Sequence, residues 1–279
     1  MKRAFKQVDV FTSSLGFGNP VAVVLDSDGL SDDEMAQFAS WTNLSETTFV
    51  LPPTDPGADY HVRIFTPNQE LPFAGHPTIG TCHAWLEAGG QPAADDVIVQ
   101  QCGAGLVTLR KVDDRLTFET PPCNRSGIVD TTLIDSVLAD LGLSQDQVVD
   151  TSWADNGPGW IGVLVSDVDV LRALTPTWDR IDCKAGVAAL TGVAEPGVPA
   201  LEVRAFFNAG GTREDPVTGS LNGSLAQWLL GNGTLKAPYI ASQGVSMGRK
   251  GRVYVSQAND GGVWIGGDAV TGVNGMVAL

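Results

Sequence analysis

The chain is short of basic residues, of paired cysteines and of long apolar runs, and each shortage removes a class of function. Seventeen Lys and Arg stand against 32 Asp and Glu, a net charge of −15. The summed field therefore repels phosphate backbones and acidic membrane surfaces, and nucleic acid is not an expected partner. The four cysteines, Cys82, Cys102, Cys123 and Cys183, show no C-x-x-C spacing, so neither a zinc site nor a disulfide framework is indicated. They read as small buried apolar residues in a reducing compartment. Met1 to Val10 carries charge but no apolar signal core, and no run reaches membrane-spanning length. A soluble cytoplasmic protein with no membrane partner is expected. No G-x-G-x-x-G follows the first strand and no G-x-x-x-x-G-K-[ST] is present, which disfavours a doubly wound nucleotide fold.

What is present is an internal repeat. Val62-Arg63-Ile64-Phe65 leads into a loop and then Gly75-His76-Pro77-Thr78-Ile79-Gly80-Thr81-Cys82-His83-Ala84-Trp85-Leu86. Val203-Arg204-Ala205-Phe206 leads in the same way into Asp215-Pro216-Val217-Thr218-Gly219-Ser220 and on to Trp228-Leu229. The offset is 141 at the strand (203 − 62) and 143 at the tryptophans (228 − 85), which implies a two-residue insertion. Each copy reads as strand, loop and helix. Leu221, Leu225, Trp228 and Leu229 recur at helical spacing in one, and Ile79, Cys82 and Leu86 in the other. Glycines at 89–90 and 231–233 stop both helices, and Pro77 suits the first helical position. A helix start has unpaired N–H groups and a positive dipole end, so two such starts can grip a small anion.

The rest of the chain mixes strands and helices. Val8–Phe11 and Val21–Leu25 read as a hairpin, and Ser31-Asp32-Asp33-Glu34 as a capping box for a helix with Met35, Phe38 and Ala39 on its apolar face. Glu46 enters a β-branched strand closed by Pro52-Pro53, and further strands are expected near 97–100, 105–109, 160–165, 252–255 and 262–265. Helical spacing recurs at 133–141 and 169–174. Pro121-Pro122 with Asn124–Gly127 is the candidate linker, dividing the chain into halves at 1–124 and 125–267, with the strand near 268–279 a candidate to complete the first. The class is α+β.

Few residues are placed to do chemistry. Glu46 lies between hydroxyl-bearing residues and an apolar strand, a setting that can desolvate a carboxylate, raise its pKa and make it a proton carrier. The plainer reading is a strand-edge glutamate facing water. His76, at the mouth of the first helix, is either a donor to a bound carboxylate or a helix-entry histidine satisfied by backbone. Asp215 can hold an amine or hydroxyl while Ser220 meets a carboxylate, although both are also ordinary capping residues. His61, in a strand, and His83, in mid-helix, fit packing roles better.

Taken together, Gly18-Asn19-Pro20-Val21-Ala22-Val23, Asn43-Leu44-Ser45-Glu46-Thr47-Thr48-Phe49-Val50, Arg63–Pro67 with Glu70–Thr78, and Asp215–Ser220 resemble the PhzF family of phenazine-biosynthesis isomerases over nearly the whole chain. The resemblance implies a diaminopimelate epimerase-like fold, two pseudo-symmetric halves each wrapping a sheet around a central helix, with the active site between them. It implies Glu46 as catalytic acid/base and His76, Asp215, Ser220 and Asn19 as substrate-binding residues, with Gly75 and Gly219 giving close backbone approach. Related epimerases use two cysteines at these loops. Here Gly75-His76 and Gly219-Ser220 stand there instead, which argues against a two-thiol racemase.

The expectation is a cofactor-independent isomerase that needs no metal and moves a proton on a small unsaturated amino or hydroxy carboxylic acid. The family namesake is implied to act on a dihydro-hydroxyanthranilate, and reaction type transfers better than ligand. A non-catalytic metabolite-binding protein and an amino-acid racemase are the alternatives. Family members are often dimers, so a homodimer is an open expectation.

Overall fold

The computed structural model describes residues 1–180, 182–193, 195–209 and 211–279. They form two compact units, Met1–Glu119 with Gly266–Leu279, and Thr120–Ile265.

In the first unit β1 (Lys2–Val10) pairs antiparallel with β2 (Asn19–Val24) and with the last strand, β18 (Ala269–Ala278). α1 (Asp32–Thr42) carries the chain across, so β3 (Glu46–Leu51) runs parallel to β2. β4 (Tyr60–Phe65) pairs antiparallel with β3 and with the short β5 (Glu70–Leu71). After α2 (Gly75–Glu87), β6 (Val97–Cys102) lies parallel to β4, and β7 (Gly105–Val112) and β8 (Arg115–Glu119) follow as a meander.

The second unit repeats this plan. β9 (Arg125–Gly127) pairs with β10 (Val148–Asp155), which pairs antiparallel with β11 (Trp160–Val165). β12 (Lys184–Leu190) runs parallel to β11, and β13 (Leu201–Asn208) pairs antiparallel with β12 and with β14 (Thr212–Asp215). After the second central helix, β15 (Tyr239–Gln243) lies parallel to β13, and β16 (Gly251–Gln257) pairs with β15. β17 (Val263–Gly267) completes the run. The helices are α3 (Thr131–Leu141), α4 (Val168–Ala173) and α5 (Gly219–Gly231). The same order of parallel and antiparallel pairings in both units is the structural form of the internal repeat. Each unit is a sheet around a central helix, with an outer apolar layer beneath its peripheral helices.

The outer layer follows from strand alternation. Phe49 and Phe65 meet Met35 and Phe38 of α1, whose Ser31 to Glu34 capping box is formed as expected. In the second unit Val187, Val163 and Phe206 meet Val137, Leu138 and Leu141 of α3 and Leu171 of α4. The inner faces enclose the central helices. A Cβ on Gly80 of α2 would lie 2.4 Å from a Val21 methyl and 2.9 Å from one of Val10, so only glycine permits this approach.

Four details differ from the sequence reading. The first eight residues of α2 are buried all round rather than on one stripe, because strands cover several faces, and Leu86 is only partly buried. Pro77 is the third helical residue, since Ala74 is the N-cap; its missing N–H is tolerated there because the first turn has no intrahelical acceptor for it. Arg125–Gly127 is a strand, not linker, because its backbone pairs with β10. The insertion is three residues: Arg63 binds Glu70 and Arg204 binds Glu214 through the same pairs of atoms, and these offsets are 141 and 144 (204 − 63 and 214 − 70). The helix starts, Gly75 and Gly219, keep the offset of 144. Trp85 and Trp228 are therefore one helical position out of register.

No helix among the described residues is long and apolar enough to cross a membrane.

Candidate active site

In the first unit three of the expected residues converge at the start of α2. Asp9 near the end of β1 accepts backbone N–H bonds from Gly16 (2.6 Å) and Gly18 (3.1 Å), which folds the loop back and delivers Asn19 to the first position of β2. Asn19 is buried, and its Nδ2 lies 3.4 Å from His76 Nδ1. His76 is the second residue of α2. Glu46 opens β3 and, by strand alternation, shares a face with Thr48, whose hydroxyl receives a hydrogen bond from Thr81 of α2. The Glu46 side chain thus faces the central helix, with Oε2 3.3 Å from His76 Nε2 and 15% exposure. It is not the strand-edge glutamate facing water that the sequence allowed.

Burial pushes the His76 pKa down to about 3, against a smaller upward pull from the Pro20 carbonyl. The ring is neutral at physiological pH and presents one donor and one acceptor. Its Nε2 makes no hydrogen bond with the described residues, so the 3.3 Å approach to Glu46 is a close contact rather than a formed bond. α2 has no side-chain cap and no acidic residue in its first turn, as suits a helix start that receives an anion. Behind it the Tyr60 hydroxyl donates to Gln100 (3.0 Å), and Gln100 donates to Thr78 (3.0 Å).

The second unit builds an analogous centre at the start of α5. Asp155 accepts N–H bonds from Gly157 (2.8 Å) and Gly159 (2.7 Å), as Asp9 does in the first unit, and Trp160 follows as the first residue of β11. Its indole N–H donates to Ser220 Oγ (3.1 Å), and Asn156 donates to the Ser220 carbonyl (2.9 Å). Ser220 is the second residue of α5, the position His76 holds in α2. Asp215 ends β14 and accepts a 2.6 Å bond from the Thr218 hydroxyl. Buried Gln243 holds this group with four bonds: its oxygen accepts from Thr218 N (3.0 Å) and Asn222 Nδ2 (2.8 Å), and its amide donates to the Asp215 carbonyl (3.0 Å) and Thr218 Oγ1 (2.9 Å). With its oxygen engaged by Gln243, the Thr218 hydroxyl has its proton directed at Asp215.

The position equivalent to Glu46 follows from strand register. Arg63 stands opposite Phe49 and Arg204 opposite Val187, so Glu46, three residues before Phe49, corresponds to Lys184, three before Val187. Lys184 opens β12 with Nζ 5.5 Å from the centre of the Trp160 ring and 5.9 Å from that of Phe207. The duplicated scaffold therefore carries a carboxylate at this place once. Sequence reasoning missed Trp160, Lys184, Gln243 and Gln100. Gln100 and Gln243 lie in matching strands, β6 and β15, but not at equivalent register positions, since Gln100 stands opposite Tyr60 and Gln243 opposite Val203, so the repeat gave no signal for them.

The remaining histidines lie elsewhere. His83 contacts Thr271 (3.1 Å) and Glu87 (3.3 Å), and partly buried His61 is in β4. Neither helix start has a thiol. Cys82 is buried inside α2, and burial raises its pKa to about 12. No cluster of three or more His, Cys, Asp or Glu able to hold a metal ion occurs among the described residues.

Comparison with known proteins agrees with this architecture. A family model described as phenazine biosynthesis-like protein, PhzC-PhzF, matches residues 8–275. Antisense-enhancing sequence 1 from Schizosaccharomyces pombe is 37% identical over 295 residues, covering 98% of each chain. A trans-2,3-dihydro-3-hydroxyanthranilate isomerase from Pseudomonas aeruginosa is 35% identical over 256 residues, covering 88% of this chain and 87% of that one. The crystal structure of a PhzF-family protein from Bacillus anthracis superposes with a TM-score of 0.84 at 23% identity, covering 100% of both chains. The fold is the diaminopimelate epimerase-like one that the motifs implied, and the chain belongs to the PhzC-PhzF family of phenazine biosynthesis-like proteins, which includes enzymes named as isomerases.

Proposed function

We propose that the protein is a cofactor-independent isomerase in which Glu46 moves a proton between two carbons of a small, unsaturated amino or hydroxy carboxylic acid. The observation that carries this reading is Glu46 itself, a largely buried carboxylate 3.3 Å from a neutral histidine at an uncapped helix start. In the reaction, the Glu46 carboxylate takes a proton from carbon and the electron pair spreads into the conjugated system. The protonated side chain then delivers that proton to a second carbon, and the double bonds shift accordingly. Nothing is oxidised or reduced, so the step needs no electron acceptor.

His76 and Asn19, with the close backbone approach that Gly75 allows, orient the substrate beside Glu46. Asp215 accepts from its amine or hydroxyl, while Ser220 and the Gly219 end of α5 meet its carboxylate. A single base favours proton relocation over racemisation with one base for each face of a carbon, since the equivalent strand start in the second unit carries lysine. The named isomerase relatives suggest trans-2,3-dihydro-3-hydroxyanthranilate as the first compound to test. The test is NMR in deuterated water, which reads deuterium entering that compound or a panel of cyclic amino carboxylates.

The second reading is a metabolite-binding protein without turnover. Tight binding with no deuterium exchange would favour it.

A further inference from the structure

Lys184 begins β12 as Glu46 begins β3, and both side chains lie on the sheet face turned toward a central helix. For Glu46 this follows from Thr48 bonding Thr81 of α2; for Lys184 it follows from Gly186, whose Cβ would lie 2.1 Å from a Leu221 methyl of α5. Two residues thus repeat as a set, His76 and Glu46 in one unit and Ser220 and Lys184 in the other, while Trp160, opposite Lys184, stands where the first unit has Val21 opposite Glu46. The repeat preserves positions and changes chemistry. Where the first unit has a carboxylate and an imidazole, the second has an ammonium and a hydroxyl.

We infer that Lys184 is a specificity-determining residue of the second unit, which together with Ser220 holds the anionic group of the ligand. The chemistry of each neighbour points the same way. An indole N–H can only donate, so its 3.1 Å bond to Ser220 Oγ occupies a lone pair of that oxygen and turns the hydroxyl proton toward some other acceptor. The bond from Asn156 to the Ser220 carbonyl fixes the residue's backbone. The faces of Trp160 and Phe207, 5.5 and 5.9 Å from Lys184 Nζ, help to orient the ammonium. α5 adds its positive end, with no acidic residue in its first turn. Within a chain of net charge −15, an anionic ligand needs local positive charge of this kind to overcome the general field.

This inference rests on the proposed reading that the ligand is a small carboxylic acid. Its test is therefore a binding measurement that does not depend on turnover, made in protein carrying Glu46→Gln. The probes are 3-hydroxyanthranilate, an aromatic relative of the compound in the isomerases' name, and its uncharged carboxamide, titrated calorimetrically at millimolar concentration. Lys184→Met is expected to weaken the carboxylate by about tenfold or more, and the carboxamide by less than about twofold. Lys184→Arg, which keeps the charge, should retain carboxylate binding to within about threefold and shows that the position tolerates substitution. Far-UV circular dichroism and thermal melts monitor folding, and Lys184→Gln carries the same comparison should the methionine variant unfold. The inference is overturned if carboxylate binding survives removal of the charge, if both probes weaken equally, or if the protein with Lys184 intact does not prefer carboxylate to carboxamide. Charge-dependent binding without any deuterium exchange by the Glu46 protein would uphold the role of Lys184 while removing the proposed isomerisation.

Discussion

His76 Nε2 stands 3.3 Å from Glu46 Oε2, and because burial holds the imidazole neutral, the pair is not an ion pair at physiological pH. A protonated histidine here would fix Glu46 as a stabilised anion and weaken it as a base. A neutral one leaves the carboxylate able to take up and release a proton while still offering its own N–H or lone pair to a ligand.

The depressed pKa of His76 makes stability depend on pH. Its folded value, about 3, lies below the ordinary 6.5, so between these limits the unfolded chain binds the extra proton. The contribution is complete above the ordinary value and is lost as pH falls toward the folded one. His76→Gln lacks this loss. The stability gap between the two proteins should therefore narrow by about 1.4 kcal/mol on going from roughly pH 7.5 to 5.5. Urea titrations at the two pH values check this; a constant gap would mean that the ring titrates alike in the folded and unfolded chain, and a widening gap that it is charged in the folded protein.

The two equivalent arginine–glutamate pairs should differ in worth. The Arg204 side chain is 7% exposed and also donates to the Leu171 and Leu174 carbonyls, whereas that of Arg63 is 21% exposed and its second partner, Asp32, is 81% exposed. Arg204→Met should cost about 3 kcal/mol, since it strands a largely buried carboxylate and two carbonyls, and Arg63→Met about 1 kcal/mol. Equal shifts in denaturation midpoint would contradict the difference in burial as the cause.

Gln243 uses both amide hydrogens and both oxygen lone pairs to fix Thr218, Asn222 and Asp215. Gln243→Leu removes all four bonds at similar volume and should destabilise the protein by about 2 to 3 kcal/mol through the unsatisfied groups it leaves. Because Asp215 also loses its orientation, KM should rise for any substrate bound through an amine or hydroxyl. A variant with wild-type KM would place Asp215 outside substrate binding.

The fold was largely legible in the sequence because its signals are local. The Ser31 to Glu34 capping box, the apolar alternation near Val62 and Val203 and the glycine-marked helix starts each depend on a few adjacent residues. Asn19, Glu46 and His76 could be singled out for the same reason, as each sits in a short motif. Lys184 could not, because its equivalence to Glu46 appears only through strand register, and the strands of the second unit differ in spacing from those of the first. Trp160 reads as an apolar strand residue until its N–H is found on Ser220. Trp85 and Trp228, the most conspicuous residues of the repeat, suggest an insertion of two residues, but Arg204 and Glu214 show that it is three, in the hairpin between β13 and β14.

The most direct test of the account is solvent deuterium incorporation by wild-type protein and Glu46→Gln, with trans-2,3-dihydro-3-hydroxyanthranilate followed by NMR in deuterated water. The account predicts deuterium at carbon with the wild type and a rate lower by at least about a hundredfold in the variant, the scale of a lost general acid–base group. Wild-type turnover with an unchanged rate in Glu46→Gln would contradict it.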